Sequence, residues 1–171
     1  LARVETRAMT IADDLDSISG DGTYKVVVGD SRDRMAWAEL AGSAVACVSS
    51  PPYLNNFDYA DATRLELFFW GEVRTWGDMC REVRSDMLTA TTQQSSVGEK
   101  EISLRALKQR QPEADVTVKE IIDIVEAISV ARDQRGPRAK EYDRVVPAYF
   151  LSMWDVLENL YAHLEPGATA L

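Results

Sequence analysis

The chain has 171 residues, of which 46% are hydrophobic, and a formal net charge of −9 from 28 acidic and 19 basic residues. This length corresponds to about one domain with a buried core, which excludes a disordered chain, and the excess of acids argues against simple coating of nucleic acid. No apolar run of about 18 residues occurs, so we expect no transmembrane helix, and residues 1–19 lack the apolar stretch of a secretory signal.

Histidine and cysteine are scarce: His163, Cys47 and Cys80 are the only ones. These are too few ligands for a zinc cluster, and two scattered cysteines favour a reducing compartment over a disulfide framework. The sequence therefore predicts a cytoplasmic protein without a metal site.

The first elements alternate between helix and strand. Residues 1–19 have helical apolar spacing and are followed by a turn at 20–22. A β-branched strand is predicted over Tyr24–Val28, a short helix over Arg34–Leu40, and a continuous apolar strand over Ala44–Val48.

The next segment reads as mainly helical. Helices are predicted over Asp61–Trp70, where Gly71 ends the helix, and over Trp76–Leu88. The polar residues 89–98 indicate a loop, and Ile102–Arg110 indicates a further helix.

Two longer helices follow. The pair Thr117 and Glu120 matches a capping box that starts a helix ending at Gly136. Its apolar stripe consists of Val118, Ile121, Ile122, Val125 and Ile128. The last helix covers Tyr149–Leu164, with Pro147 in its first turn. Its apolar stripe is expected to face the core and consists of Phe150, Met153, Trp154, Leu157, Leu160, Tyr161 and Leu164.

Strands that alternate with helices predict an α/β fold with a parallel sheet, in which ligands bind beyond the carboxyl ends of the strands. Two loops are expected at such ends: Gly29-Asp30-Ser31, and Ser50-Pro51-Pro52-Tyr53. The diproline removes two backbone donors and leaves the Pro51 carbonyl as a rigid acceptor. With the Ser50 hydroxyl and the Tyr53 ring beside it, the second loop is suited to grip a planar group that carries an amine.

These residues resemble a known family. The run Val48–Tyr53, with Gly29-Asp30-Ser31 upstream, resembles the S-adenosylmethionine-dependent methyltransferases that modify cytosine N4 or adenine N6 in DNA. Leu54–Tyr59 and the final Glu165-Pro166-Gly167 are similar to further segments of that family. The resemblance covers roughly residues 24–70 and 147–171 and implies a partial Rossmann-like class I methyltransferase sheet with a helical insertion.

The resemblance also implies roles. Ser50 and the Pro51 carbonyl would accept hydrogen bonds from the exocyclic amine of a flipped base, with Pro52 fixing the loop and Tyr53 stacking on the base. Gly29 and Asp30 would contact the cofactor. The candidates for lining the base pocket are Asn55, Asn56, Asp58 and Tyr59; an Asx-rich structural loop is the alternative for them, and a turn or N-cap is the alternative for Asp30.

One departure from the family is that its glycine-rich cofactor loop does not occur in this chain. The chain starts with Leu and stops within an apolar run, so we expect a fragment that holds half of the site and binds S-adenosylmethionine weakly or not at all. The expected units are residues 1–71 with the catalytic loop, an inserted helical region at 72–146, and residues 147–171 with the last helix and next strand.

The insertion is the locally basic part of the chain, and we expect it to contact a phosphate backbone. The residues concerned are Arg105, Lys108, Arg110, Arg132, Arg135, Arg138, Lys140 and Arg144. A solvated surface with many salt bridges is the alternative.

For the whole protein, a DNA methyltransferase, as in restriction-modification, is the leading function; an RNA amino-methyltransferase and a non-catalytic remnant are the alternatives. The target sequence and the oligomeric state stay open.

Overall fold

The computed structural model describes residues 2–17, 22–38, 40, 44–96, 98–110 and 115–171. The N-terminal part contains α1 (Ala2–Ser17), the short α2 (Arg34–Trp37) and β1 (Ala44–Cys47). These elements agree in type with the sequence predictions, whereas the turn predicted at 20–22 falls mostly outside the described residues.

The strand predicted over Tyr24–Val28 is wrong. Residues 22–28 have no strand structure, and Tyr24, Val26 and Val28 are largely exposed. A strand exists only where its backbone hydrogen-bonds to a neighbour, and β1 pairs only with β2 in the described chain. The β-branched run therefore has the propensity for a strand, but its backbone does not take part in the sheet that the described residues form.

A small helical unit follows the diproline loop. It contains α3 (Tyr59–Ala62), α4 (Arg64–Trp70), and α5 (Trp76–Asp78), which continues into a π-helical segment, Met79–Arg84. Gly71 ends α4 in the left-handed conformation, as predicted. A small core forms around three buried side chains, Ala60, Val73 and Met79.

The larger core lies between three helices: α6 (Glu99–Arg110), α7 (Asp115–Arg135) and α8 (Tyr142–His163). Its buried members are Leu107, Val118, Ile121, Val125 and Val146. The predicted stripe of α7 is confirmed, because its five members are buried or packed against this core. The predicted capping box is wrong, because α7 begins at Asp115 and Thr117 lies inside its first turn.

The predictions for α8 need two corrections. Pro147 is a buried interior residue and not part of the first turn, because α8 already begins at Tyr142. The predicted stripe does not face the core throughout: Leu157 and Tyr161 are 55% and 83% exposed. The core residues on α8 lie in its first half, around Val146, so its second half has an uncovered apolar face.

The sheet has two parallel strands, β1 and β2 (Leu164–Ala170). The pair joins β1 directly to the segment that follows the last helix. The register is irregular, since Ala44 pairs with Leu164 and Ala46 with Thr169. Gly167 has a φ of +86°, and together with Pro166 it forms the bulge, because Pro has no amide proton to donate to the sheet.

Candidate functional site

The diproline loop begins where the parallel pair ends. The Ser49 amide donates to the Leu171 carbonyl at 2.8 Å, and the Leu171 amide donates to the Cys47 carbonyl at 2.9 Å. These bonds continue the pairing for one step beyond the strands, and Ser50 follows directly. The loop therefore lies at the carboxyl edge of the two strands, as the sequence predicted.

Tyr149 on α8 holds the diproline loop by a hydrogen bond. Its hydroxyl donates to the Pro52 carbonyl at 2.9 Å. Burial, together with the nearby Tyr59, raises the pKa of Tyr149, so the phenol keeps its proton and remains a donor at neutral pH. Sequence reasoning missed this residue, because nothing in the chain links position 149 to a loop 97 residues earlier.

Tyr53 is held by its backbone and leaves its ring free. Its amide donates to the Tyr59 hydroxyl at 3.1 Å, whereas the side chain is 62% exposed. Tyr59 is in turn packed edge-on against Phe57, with ring centroids 4.8 Å apart. The geometry leaves one face of an aromatic ring at the strand end available for stacking.

The acceptors of the loop are free. Among the described residues, no group donates to the Pro51 carbonyl, and the exposed Ser50 hydroxyl has no hydrogen-bond partner. A rigid carbonyl and a hydroxyl next to an exposed ring are the groups that an aromatic amine requires: two acceptors and a stacking surface.

The polar groups at 55–58 are largely used to build the loop itself. The Asn55 side-chain oxygen accepts from the Phe57 amide at 3.1 Å. Asn56 has a φ of +61°, and its side-chain oxygen accepts from both the amide and the hydroxyl of Thr92, at 3.0 and 3.1 Å. Both contacts support the alternative in which these residues form a structural loop.

Asp58 also has a structural role. It is the N-cap of α3 and accepts from the Asp61 amide at 3.1 Å, while its other oxygen binds Arg84. Arg84 stacks over the Trp76 ring at 4.8 Å, and its Nε is buried without a hydrogen-bond partner among the described residues. The ion pair between Asp58 and Arg84 ties the π-helical segment to the loop.

The Asp30 carboxylate accepts several hydrogen bonds from Arg32. They come from the Arg32 amide at 2.9 Å and from the guanidinium at 2.6–3.0 Å. The hydrogen bonds from Arg32 lower the pKa of Asp30. The amide, Nε and Nη2 of Arg32 thus supply three of the about four hydrogen bonds that a carboxylate accepts, so most of the acceptor capacity of Asp30 is used within the loop.

Gly29 has a packing role. A Cβ at this position would lie 2.8 Å from the Cβ of Ala36 on α2. The loop can therefore approach α2 only with glycine there. In the structure Gly29 therefore serves packing, and Arg32 takes up most of the Asp30 carboxylate.

The two loops attach to different parts of α8. Asn159 donates to the carbonyls of Ser31 and Arg32, both at 3.1 Å, whereas Tyr149 holds Pro52. Ten residues of helix separate these anchors by about 15 Å. The expectation that both loops follow strands at one sheet edge is wrong for Gly29-Asp30-Ser31, since no strand precedes it.

The basic residues of the insertion divide into two groups. Arg110 pairs with Asp155, Arg132 with Asp143 and Asp133, and Arg144 with Glu141. The other five have no ion-pair partner among the described residues: Arg105, Lys108, Arg135, Arg138 and Lys140. Only this second group has charge left for an external phosphate.

The described residues contain neither a membrane-spanning helix nor a metal-binding cluster. No helix there has the length and apolar character needed to cross a membrane. No group of three or more His, Cys, Asp and Glu side chains in the same residues is placed to hold a metal ion.

Comparison with known proteins gave no relative. No family model, curated protein or solved structure matches the chain.

Proposed function

We propose that this chain carries the amine-binding half of an S-adenosylmethionine-dependent DNA methyltransferase that acts on cytosine N4 or adenine N6. The observation that carries the proposal is the pair of free acceptors at the end of β1. The Ser50 hydroxyl and the Pro51 carbonyl have no partner among the described residues, and the Tyr53 ring beside them is exposed.

The chain's own residues would hold the base. The two acceptors would bind the two hydrogens of the exocyclic amine and orient its lone pair, while Tyr53 stacks on the ring of the flipped base. Tyr149 and Tyr59 would keep the loop in this geometry through the Pro52 carbonyl and the Tyr53 amide. S-adenosylmethionine is the methyl donor that the family resemblance implies, and the partially Rossmann-like sheet belongs to the same proposal.

The test is transfer of a tritiated methyl group to DNA. It uses the longest natural polypeptide containing these residues, beside the 171-residue chain itself. We expect Tyr53→Ala to lower the rate of transfer about fivefold or more, since aromatic stacking on a base contributes about 1–3 kcal/mol. Ser50→Ala should also lower the rate, because it removes one of the two acceptors for the amine. Calorimetric titration with S-adenosylmethionine is expected to show binding to the longer polypeptide only.

The matched control is Tyr161→Ala, which removes an exposed tyrosine of α8 remote from the loop. Its rate should equal that of the unmodified protein. If Tyr53→Ala methylates DNA as fast as Tyr161→Ala does, the loop is not the amine site.

The engagement of Asp30 by Arg32 favours a second candidate, a methyltransferase-like domain without activity. Cofactor binding to the longer polypeptide would exclude this candidate. Transfer to RNA and not to DNA would favour an RNA amino-methyltransferase.

A further inference from the structure

A second candidate site lies where α7 gives way to α8. The loop at 136–141 borders an open cavity of about 700 Å³. The polar side chains of its lining are Thr92, Arg132, Asp133, Arg138, Lys140 and Glu141.

The balance of charge in this cavity is positive. Asp133 is paired with Arg132, and Glu141 is paired with Arg144, with 2.6 Å between the paired atoms of Glu141 and Arg144. Arg138 and Lys140 are exposed and have no acidic partner among the described residues. The acids on the cavity wall are thus neutralised by other arginines, and two positive charges remain.

The loop is fixed to a buried cluster. Asp143, which is 1% exposed, binds Arg132 at 2.7 Å and Lys100 at 3.0 Å. The Ser129 hydroxyl lies 3.2 Å from the same carboxylate. This cluster joins the last turns of α7 to the first turn of α8. The short loop between the two helices is therefore held at both ends.

The cavity is next to the diproline loop. Thr92 lines the cavity and donates two hydrogen bonds to Asn56, which lies three residues after Tyr53. Arg138 and Lys140 therefore line a cavity whose wall contacts the loop that carries Tyr53.

We propose that Arg138 and Lys140 each bind a phosphate of the DNA strand next to the flipped nucleotide. The inference rests on the proposed function for its choice of ligand. Arg and Lys bind phosphate by charge-assisted hydrogen bonds that fix the position of a strand without reading its sequence. The cavity is therefore a positioning site.

The test is the salt dependence of DNA binding by the full polypeptide. A fluorescein-labelled DNA duplex is titrated by anisotropy at a series of KCl concentrations. Each lost phosphate contact lowers the slope of log K against log salt by about one. The double variant Arg138→Gln/Lys140→Gln is therefore expected to lower that slope by about two.

The matched control is Arg74→Gln/Lys119→Gln, which changes one residue before α5 and one on α7. This variant removes the same charge from exposed residues that do not line the cavity. Its slope should stay within a few tenths of the original. Equal slopes for the two double variants would overturn the proposal, as would binding to RNA of the same sequence without binding to DNA.

Methyl transfer at saturating DNA separates this inference from the proposed function. If Arg138→Gln/Lys140→Gln leaves the salt slope of DNA binding unchanged while methyl transfer still depends on Tyr53, only the phosphate site is overturned. A slope lowered by two in a protein that transfers no methyl group supports the phosphate site and overturns the proposed function alone.

Discussion

Two explanations compete at Gly29, a cofactor contact and a packing constraint. The family resemblance implies the first. The structure supports the second, because a Cβ at this position would lie 2.8 Å from the Cβ of Ala36, closer than van der Waals contact permits. Ala36 is a short side chain attached directly to the α2 backbone and has no flexible end that could move aside.

We expect Gly29→Ala to lower the free energy of unfolding by about 1–2 kcal/mol, which is the usual cost of overpacking. Ala36→Gly in the same protein should restore part of this loss, since it removes the clashing carbon. Urea denaturation measures both effects.

Gly22→Ala is the control for this pair, since a Cβ at Gly22 meets nothing within 4 Å. It should be neutral or slightly stabilising. If Gly29→Ala lowers the free energy of unfolding no more than Gly22→Ala does, the packing explanation is wrong. The cofactor contact is then the remaining explanation for Gly29.

Single residues also show how far the sequence predicts the site. Ser50–Tyr53 could be found because a diproline directly after an apolar strand has few structural explanations. Tyr149 could not be found, because its contact with Pro52 depends on how α8 lies against the loop. The engagement of Asp30 by Arg32 was equally hidden, although the two residues are only two positions apart. Residue type and spacing do not reveal which partner a carboxylate selects.

At the scale of elements, a buried carboxylate joins the three long helices. Asp143 on α8 binds Lys100 on α6 and both Ser129 and Arg132 on α7. Burial opposes ionisation of Asp143, but the hydrogen bonds and charges of Lys100 and Arg132 outweigh it, and the net effect is a lowered pKa of Asp143.

This cluster explains the error in the predicted start of the last helix. The first turn of α8 forms around Asp143, upstream of Pro147, because tertiary ion pairs hold it there. A local signal such as proline at a first turn cannot anticipate a partner 43 residues away. By contrast, the apolar stripe of α7 was predicted correctly, since periodicity alone defines the face that a long helix buries.

We expect Asp143→Asn to lower the free energy of unfolding by about 3 kcal/mol, because it leaves Lys100 partly buried without its counter-charge and Arg132 paired with Asp133 alone. The effect should depend on pH. The pKa of Asp143 is lower in the folded than in the unfolded chain, so the unfolded chain binds more protons as the pH falls. The stabilisation is therefore complete above the ordinary aspartate pKa of about 3.9 and is lost as the pH falls through the lowered folded value.

Urea denaturation between neutral pH and pH 3 measures this difference. The matched control is Asp123→Asn, which changes an exposed aspartate of α7 that has no ion-pair partner among the described residues. It should be within about 0.5 kcal/mol of the original protein. If Asp143→Asn loses as much unfolding free energy between neutral pH and pH 3 as the original protein does, the Asp143 carboxylate is not the source of the pH dependence.

At the scale of the whole molecule, burial is unevenly distributed. The larger core lies between α6, α7 and α8, and a small one lies around Met79. The sheet contributes no residue to either core, and Val45 and Val48 are 71% and 84% exposed. A two-stranded sheet without a covered face is only marginally stable in water.

Native-state hydrogen exchange should reveal this division. We expect the amides of Ser49 and Leu171, which continue the parallel pairing, to exchange by local opening, well below the free energy of global unfolding. The amide of Val125, buried in α7, should exchange only by global unfolding. Leu107→Ala, which costs about 2–5 kcal/mol in a packed core, should lower the protection of Val125 and leave that of Ser49 unchanged.

Equal sensitivity of both amides to Leu107→Ala would mean that the sheet unfolds together with the helices, and the division into a locally opening sheet and a stable helical core would be wrong.

Local opening of the sheet has a consequence for the proposed site. Ser50–Tyr53 begins at the end of the locally opening strand, whereas its fastener, Tyr149, belongs to the helix that carries the larger core. The geometry of the acceptors would then depend on α8 more than on β1. A base bound between Ser50 and Tyr53 should consequently raise the protection of the Ser49 amide more than that of Val125.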